Sequence, residues 1–272
     1  MIPSAREVLP RLAETDHIWL FLDYDGTLAD FSPTPDVVTP DGELIDLLAR
    51  LADKPDLHLA VVSGRRLKHI RKLVPVPGIW LAGTYGIELL APTGETTYEL
   101  DYQSIRPALE QLKQRWESLI AGQSGFYLED KDWTLAIHAR YASNEDAAEI
   151  LSAARQQANQ MLTRTPQNPA AALHLLGGHK FLEICPKTAD KGAAFRNILS
   201  KDPFIGALPV FIGDDDKDEK AFAVVKTANG LAILVAAEPR PTQADFYLET
   251  PAAVRDWLAS LLQSRASKPA HS

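Results

Sequence analysis

Apolar runs five or six residues long alternate along this chain with longer stretches of helical spacing. Residues 18–22, Ile-Trp-Leu-Phe-Leu, are uninterrupted and rich in aromatic and branched types. Residues 57–62 and 208–212 repeat the pattern. Such runs predict strands of a parallel sheet buried on both faces. Residues 78–82, 229–235 and 246–248 predict further strands. Between them lie helical patterns. Residues 4–15 predict an amphipathic helix before the first strand. Leu44, Ile45, Leu47, Leu48 and Leu51 follow the start signal Pro40-Asp41-Gly42. Further helices are expected after Ser63-Gly64-Arg65 to about residue 74, from residues 189–192 to about 199, up to about 225, and over 252–262. Residues 87–90 and 96–100 predict a hairpin around Pro92-Thr93-Gly94. Ser32-Pro33-Thr34-Pro35 predicts an irregular loop, and the residues after Gln263 a frayed tail. The alternation predicts βαβ units and an α/β core with a Rossmann-like parallel sheet.

The texture changes in the middle of the chain. Helical patterns cover 104–121 and 143–161. Strand patterns cover 126–129 and 134–140, joined at Asp130-Lys131-Asp132, and 173–176 and 181–185, joined at Gly177-Gly178. Two helices and two hairpins predict a compact inserted α/β cap at 104–185. The core is then 1–103 with 186–272.

Charge narrows the function classes. A net charge of -8 argues against nucleic-acid and acidic-membrane partners, which need a basic surface. It leaves room for a small anionic substrate held by local cations. The single cysteine, Cys185, forms no intrachain disulfide and fits a reducing, cytoplasmic setting; its apolar run predicts a buried, inert thiol. No apolar run is long enough for a signal peptide or a membrane span.

The first strand ends on Asp23-Tyr24-Asp25-Gly26-Thr27. Ligands of open α/β sheets bind at the carboxyl ends of strands, so two acids stand where chemistry is expected. Three other strand ends or helix starts carry unusual residues: Ser63, Lys191, and Asp214, Asp215 and Asp218. If these converge, five carboxylates surround one lysine, and so many like charges call for a cation. An all-oxygen donor set points to Mg²⁺. A phosphoryl group suits these parts. Lys191 and the metal neutralise its oxygens, while Thr27, Ser63 and neighbouring backbone N–H groups such as that of Gly64 hydrogen-bond them. Asp23 is placed to attack phosphorus, and Asp25 to protonate the leaving oxygen and then deprotonate water.

Four signatures in order carry a resemblance: Asp23-Tyr24-Asp25-Gly26-Thr27, Ser63-Gly64-Arg65, Asp190-Lys191-Gly192, and Gly213-Asp214-Asp215-x-x-Asp218-Glu219. The chain resembles the haloacid dehalogenase-like phosphatases and, more narrowly, the trehalose-6-phosphate phosphatase family. The resemblance implies that Asp23 is the nucleophile and Asp25 the acid/base. It implies that Asp23, the Asp25 carbonyl and Asp214 hold Mg²⁺, with Asp215 and Asp218 supporting the metal and Lys191. The narrower match rests on Gly83-Thr84-Tyr85-Gly86-Ile87-Glu88, His138-Ala139-Arg140, and Gly178-His179-Lys180-Phe181-Leu182-Glu183. It implies substrate contacts at Tyr85, Glu88, His138, Arg140, His179, Lys180 and Glu183. Tyr85 stands at the family's His, His179 at its Lys, and Cys185 replaces a usual Arg or Lys.

The implied activity is Mg²⁺-dependent hydrolysis of trehalose 6-phosphate through an aspartyl-phosphate. The three departures keep open a related sugar phosphate: glucosylglycerol, mannosylglycerate, sucrose or hexose phosphate. A sugar phosphomutase and a non-catalytic sugar-phosphate-binding module are the other readings. The expected partner is the small sugar phosphate; a pathway synthase is named by no residue.

Overall fold

A computed structural model of the chain describes residues 2–31, 38–163, 172–178, 180–238 and 240–266. The expected Ser32–Pro35 loop and His179 lie outside the described residues. The chain forms two compact units, Met1–Thr97 with Asp190–Ser272, and Tyr98–Ala189.

The first unit is built on β1 (Ile18–Leu22), whose five residues are all buried. Its side chains alternate between two cores. Ile18, Leu20 and Leu22 join one cluster, and Trp19 and Phe21 the other. Each such fully buried side chain contributes about 1.5–3 kcal/mol, so burial on both faces places β1 inside the sheet. It pairs in parallel with β2 (Leu57–Val62) and β10 (Leu208–Gly213). The sheet continues through β3 (Trp80–Gly83), β4 (Glu88–Leu90) and β5 (Thr96–Tyr98) on one side. On the other side lie β11 (Leu231–Val235) and β12 (Phe246–Leu248). Among the described residues the order is β12-β11-β10-β1-β2-β3-β4-β5, with β4 antiparallel to β3.

Helices cover both faces. Leu12 of α1 (Leu9–Glu14), Leu44 and Leu48 of α2 (Gly42–Ala52), Ile70 of α3 (Leu67–Leu73) and Trp257 of α8 (Pro251–Ala266) belong to the first cluster. Phe195 and Ile198 of α6 (Lys191–Lys201) and Phe222 of α7 (Asp218–Thr227) belong to the second. Asp41 caps α2 by accepting the N–H groups of Glu43 and Leu44. Two expectations are corrected. The helix expected over 4–15 is a 3₁₀ turn at Ala5–Val8 followed by α1, with Pro10 in its first turn. Of the expected tail after Gln263, the part to Ala266 is helical, because the Arg265 guanidinium is buried against the Leu12 and Asp16 carbonyls and Asp56, and residues 267–272 lie outside the described residues.

The second unit is a four-stranded antiparallel sheet. Its strands are β6 (Tyr127–Asp130), β7 (Leu135–His138), β8 (Leu173–Gly178) and β9 (Phe181–Pro186), in the order β6-β7-β9-β8. Leu135, Ile137, Leu182 and Ile184 pack with Trp116 of α4 (Tyr102–Ile120) and Ala154 and Ala158 of α5 (Asn144–Leu162). The period of two sends Glu129, Ala136 and Glu183, directly paired across the sheet, to the other face. Tyr127, His138 and Phe181 share that face.

Candidate active site

The site lies where β1 and β10 end side by side. Leu22 is in register with Ile212, and the Asp23 N–H donates to the Ile212 carbonyl at 2.9 Å. The chains continuing from both strands therefore emerge together. Lys191, the first residue of α6, reaches them with its Nζ 2.9 Å from Asp23 Oδ1 and 2.7 Å from Asp218 Oδ1. The other Asp218 oxygen accepts the backbone N–H groups of Asp214 and Asp215 at 3.0 and 3.1 Å. Gly213 makes that turn possible, because a Cβ there would lie 2.6 Å from Asp218 Oδ2. Gly26 is equally constrained: its φ is +79°, and a Cβ would collide with the Asp214 carboxylate. Thr27 Oγ1 donates to Asp214 Oδ1 at 3.3 Å.

Ser63 follows β2 and is buried, its Oγ accepting the Arg65 N–H at 3.1 Å. Arg65 grips Asp25 with a two-point bond, Nε to Oδ2 and Nη2 to Oδ1, both 2.7 Å. Thus Asp23 pairs with Lys191 while Asp25 pairs with Arg65.

Carboxylates outnumber ammonium groups here, and the electrostatics follow. Burial pushes Asp23 up to about 8, and the charges of Asp214 and Asp215 add to it against Lys191. Burial likewise raises Asp214 to about 6 and Asp218 to about 8. Asp23 and Asp218 hold Lys191 protonated despite its burial. Burial opposes the charge on Asp215, but Lys191 and Lys217 outweigh it and lower its pKa. Carboxylate oxygens of Asp23, Asp214 and Asp218 lie within 4.8 Å of one another, a group able to hold a metal ion. Asp215 is used differently. Its Oδ1 accepts the N–H groups of Lys217 and Asp218, anchoring the start of α7.

The expected substrate residues separate into distinct settings. Tyr85 is buried in the left-handed region with φ +55°. Its N–H donates to the Ser63 carbonyl and its carbonyl accepts from Asp190. Glu88 is buried, with Oε2 accepting from the Leu67 N–H at 2.9 Å and Thr84 Oγ1 at 2.8 Å; in the fold it ties α3 to the turn after β3. In the second unit, His138 Nε2 meets Glu129 Oε2 at 2.9 Å and its ring stacks on Tyr127. Arg140 is exposed. Glu183 is buried, its Oε1 bonded by Thr134 and Lys131. Lys180 takes a positive φ of 58°, and its ammonium donates to the Ala142 carbonyl at 2.6 Å. Cys185 is buried as expected, 3.3 Å from His174 Nε2.

Two residues lacked an assigned role. Arg65 was visible inside Ser63-Gly64-Arg65, but nothing local indicated that it would bind Asp25. Arg240 donates to the Asp214 carbonyl at 3.0 Å and to Asp216 and Glu219, pinning the acidic loop. It stands 26 positions from Asp214 in a polar stretch without a signal. Among the described residues, no helix is long and apolar enough to cross a membrane.

Comparison with known proteins gives a consistent result. A family model described as trehalose-phosphatase matches residues 21–252. A trehalose-phosphate phosphatase of Mycobacterium marinum is 32% identical over 249 residues, covering 89% of this chain and 60% of that protein. One from Mycobacterium avium is 33% identical over 254 residues, covering 90% and 62%. The chain thus spans about three fifths of the length of these curated relatives. The structure of the C-terminal domain of trehalose-6-phosphate phosphatase from C. albicans superposes with a TM-score of 0.81 over 97% of this chain and 98% of that one. At 19% identity, that likeness shows the fold.

Proposed function

This chain belongs to the trehalose-phosphatase family, and from that premise we propose that it hydrolyses trehalose 6-phosphate to trehalose and phosphate. The observation that carries the reading is Lys191, bound to both Asp23 and Asp218 beside Asp214. It unites the residues that nucleophilic phosphoryl transfer needs from three separated signatures.

Asp23 attacks phosphorus, and its Oδ forms the new bond as the sugar oxygen leaves. Asp25 donates a proton to that oxygen and then removes one from the water that cleaves the aspartyl-phosphate. Lys191, Thr27, Ser63 and the Gly64 backbone bind the phosphoryl oxygens. Arg65 holds Asp25 in place, and substrate arrival must loosen that grip for Asp25 to carry a proton. The donor set fits Mg²⁺. Three close carboxylates offer hard oxygen donors, and burial first, then their neighbouring carboxylates, raise their pKa values. Asp23, Asp214 and the Asp25 carbonyl would hold the ion, with Asp215 and Asp218 supporting it. When bound, Mg²⁺ supplies the charge neutralisation that lets the acids stay ionised. The core is read as residues 1–103 and 186–272, and 104–185 as the specificity domain. Within that domain His138, Arg140, His179, Lys180 and Glu183 are assigned to the sugar, and within the core Tyr85 and Glu88 are. The single cysteine fits a cytoplasmic enzyme.

Tyr85, buried where the family carries His, favours one second reading, a related sugar phosphate (glucosylglycerol, mannosylglycerate, sucrose or hexose phosphate) as the preferred substrate. Phosphate release should be measured with Mg²⁺ on trehalose 6-phosphate and on glucosylglycerol, mannosylglycerate, sucrose and hexose phosphates. The highest kcat/KM on trehalose 6-phosphate supports the first reading. No release from any of them, by a folded protein, sinks both.

A further inference from the structure

Glu219 closes the fourth signature and lies in the first turn of α7. Both of its carboxylate oxygens are used. Oε1 accepts from Arg240 Nη1 at 3.1 Å, and Oε2 accepts the backbone N–H of Gln243 at 2.8 Å. One side chain of α7 therefore holds two points of the segment that follows β11. The same helix braces that segment again. Lys226 Nζ donates to the Gln243 carbonyl at 3.0 Å and pairs with Asp245 at 3.0 Å. Asp245 in turn accepts the Ala232 N–H of β11 at 3.0 Å. Arg240 thus stands on backbone that is fixed from two elements.

From this footing the guanidinium reaches the loop after β10. Nη2 donates to the Asp214 carbonyl at 3.0 Å, and Nη1 to Asp216 Oδ1 at 3.1 Å. Asp216 is exposed, so its ion pair adds little. The bond to the Asp214 carbonyl is of another kind. It acts on the backbone of a residue whose carboxylate stands with those of Asp23 and Asp218. Asp218 Oδ2 holds the Asp214 N–H at 3.0 Å. With Arg240 on the carbonyl, the peptide groups on both sides of the Asp214 Cα are tied to side chains. A Cα held on both sides fixes the direction of its Cβ, and Thr27 Oγ1, 3.3 Å from Oδ1, then restrains the carboxylate itself. Arginine suits this task, because its planar fork offers several donors in one rigid plane and keeps its charge.

We propose that Arg240 is a positioning residue for the metal ligand Asp214, anchored by Glu219, and that it biases the site toward Mg²⁺ over larger divalent cations. This rests on the reading of Asp23 and Asp214 as Mg²⁺ ligands. Mg²⁺ demands short bonds in near-octahedral geometry, whereas Ca²⁺ accepts longer bonds and irregular geometry. Holding a carboxylate in place therefore favours Mg²⁺ more than Ca²⁺. Charge and geometry predict opposite results here. A guanidinium repels both divalent cations alike, so as a bare charge Arg240 weakens binding and its removal strengthens it. As a clamp it strengthens Mg²⁺ binding, and its removal weakens it.

The test uses the full chain without substrate, titrated by calorimetry with Mg²⁺ and separately with Ca²⁺. Arg240→Met should raise the Mg²⁺ dissociation constant by about ten-fold and that of Ca²⁺ by only about two-fold, so that selectivity falls. Arg240→Lys keeps the charge and loses the fork. It should raise the Mg²⁺ constant by about three-fold and leave Ca²⁺ unchanged. Glu219→Gln removes a negative charge that acts on both cations equally, so its readout is the ratio of the two constants, which should shift against Mg²⁺ by about two-fold. Mg²⁺ binding that is unchanged or tighter in Arg240→Met overturns the proposal. An equal loss for both cations overturns it too, since that marks a general loosening of the fold. Should Arg240→Met not fold, an unchanged ratio in Arg240→Lys, at a melting temperature equal to wild type, overturns it as well. Wild-type protein that binds neither cation sinks the metal reading itself, a result distinct from a wild type and an Arg240→Met that bind Mg²⁺ equally.

Discussion

The two units each contain a buried charge cluster, and the two are built in opposite senses. In the first, Asp23, Asp214, Asp215 and Asp218 gather around Lys191 at the strand ends. Negative charge is in excess, and burial raises Asp23 and Asp214. In the second, Lys131 lies between Glu129 and Glu183, Thr134 adds a donor to Glu183, and His138 adds one to Glu129. Nearby, Asp130 is held by Arg106 and Lys113. Burial works against the charges on Glu129 and Asp130, but their partners win and lower both pKa values. The second cluster is electrostatically closed, each of its carboxylates meeting a cation or donor of its own unit. The first is left open at the cost of stability, which is what a site awaiting a cation and an anion requires.

The sharpest way to break this contrast is to remove one charge from each side. Asp23→Asn should lower kcat by at least about a thousand-fold, as loss of a nucleophile does. It should also raise the melting temperature without metal at pH 8, since one surplus charge is gone. A lowered melting temperature would mean that the open cluster supports the fold after all. Lys131→Met should do the reverse and destabilise the protein by about 3 kcal/mol, because it leaves two buried carboxylates without their cation. Urea unfolding measures this, and a loss below about 1 kcal/mol would show that water already solvates the pair.

Arg65→Lys probes the link between Asp23 and Asp25. It keeps the charge but loses the two-point grip on Asp25, and kcat should fall by about ten-fold with KM little changed. An unaltered kcat would show that Asp25 needs no positioning.

The smallest effect is in pH dependence, and its sign differs between the clusters. Folded Asp23 and Asp214, raised to about 8 and about 6, retain protons that the unfolded chain releases above its ordinary carboxylate value. Their contribution is therefore present at low pH and lost as pH rises through roughly 4 to 8. Glu129 and Asp130, lowered in the fold, contribute above the ordinary carboxylate range and lose that contribution as pH falls. Thermal scans without metal should show melting temperature declining by a few degrees on the alkaline side of this window. Mg²⁺ at millimolar concentration should flatten that limb and leave the acid limb alone. Equal flattening of both limbs would break the comparison.

Much of the core was legible from local pattern. The run 18–22 marked itself as a strand buried on both faces because every residue in it is apolar, and the cores on either side confirm that reading. Asp23, Asp25, Lys191 and Asp214 were legible because each follows a strand or opens a helix, the positions where a parallel sheet presents side chains to a ligand. Glu88 and Lys180 show the limit. The resemblance implied substrate contact for both, and no local pattern announced the partners the fold gives them, two donors for Glu88 and the Ala142 carbonyl for Lys180.

Sequence by itself therefore determined the alternation of elements and the residues at the strand ends, since these depend on periodicities of two and 3.6 and on local turn chemistry. Tertiary structure alone decided the pairings: Arg65 with Asp25, Lys217 with Tyr85, Arg240 with the Asp214 carbonyl, and Lys131 with Glu183. Each joins groups more than twenty positions apart. Which cation meets which carboxylate is set by the distances folding leaves between them, and no local pattern along the chain encodes those distances.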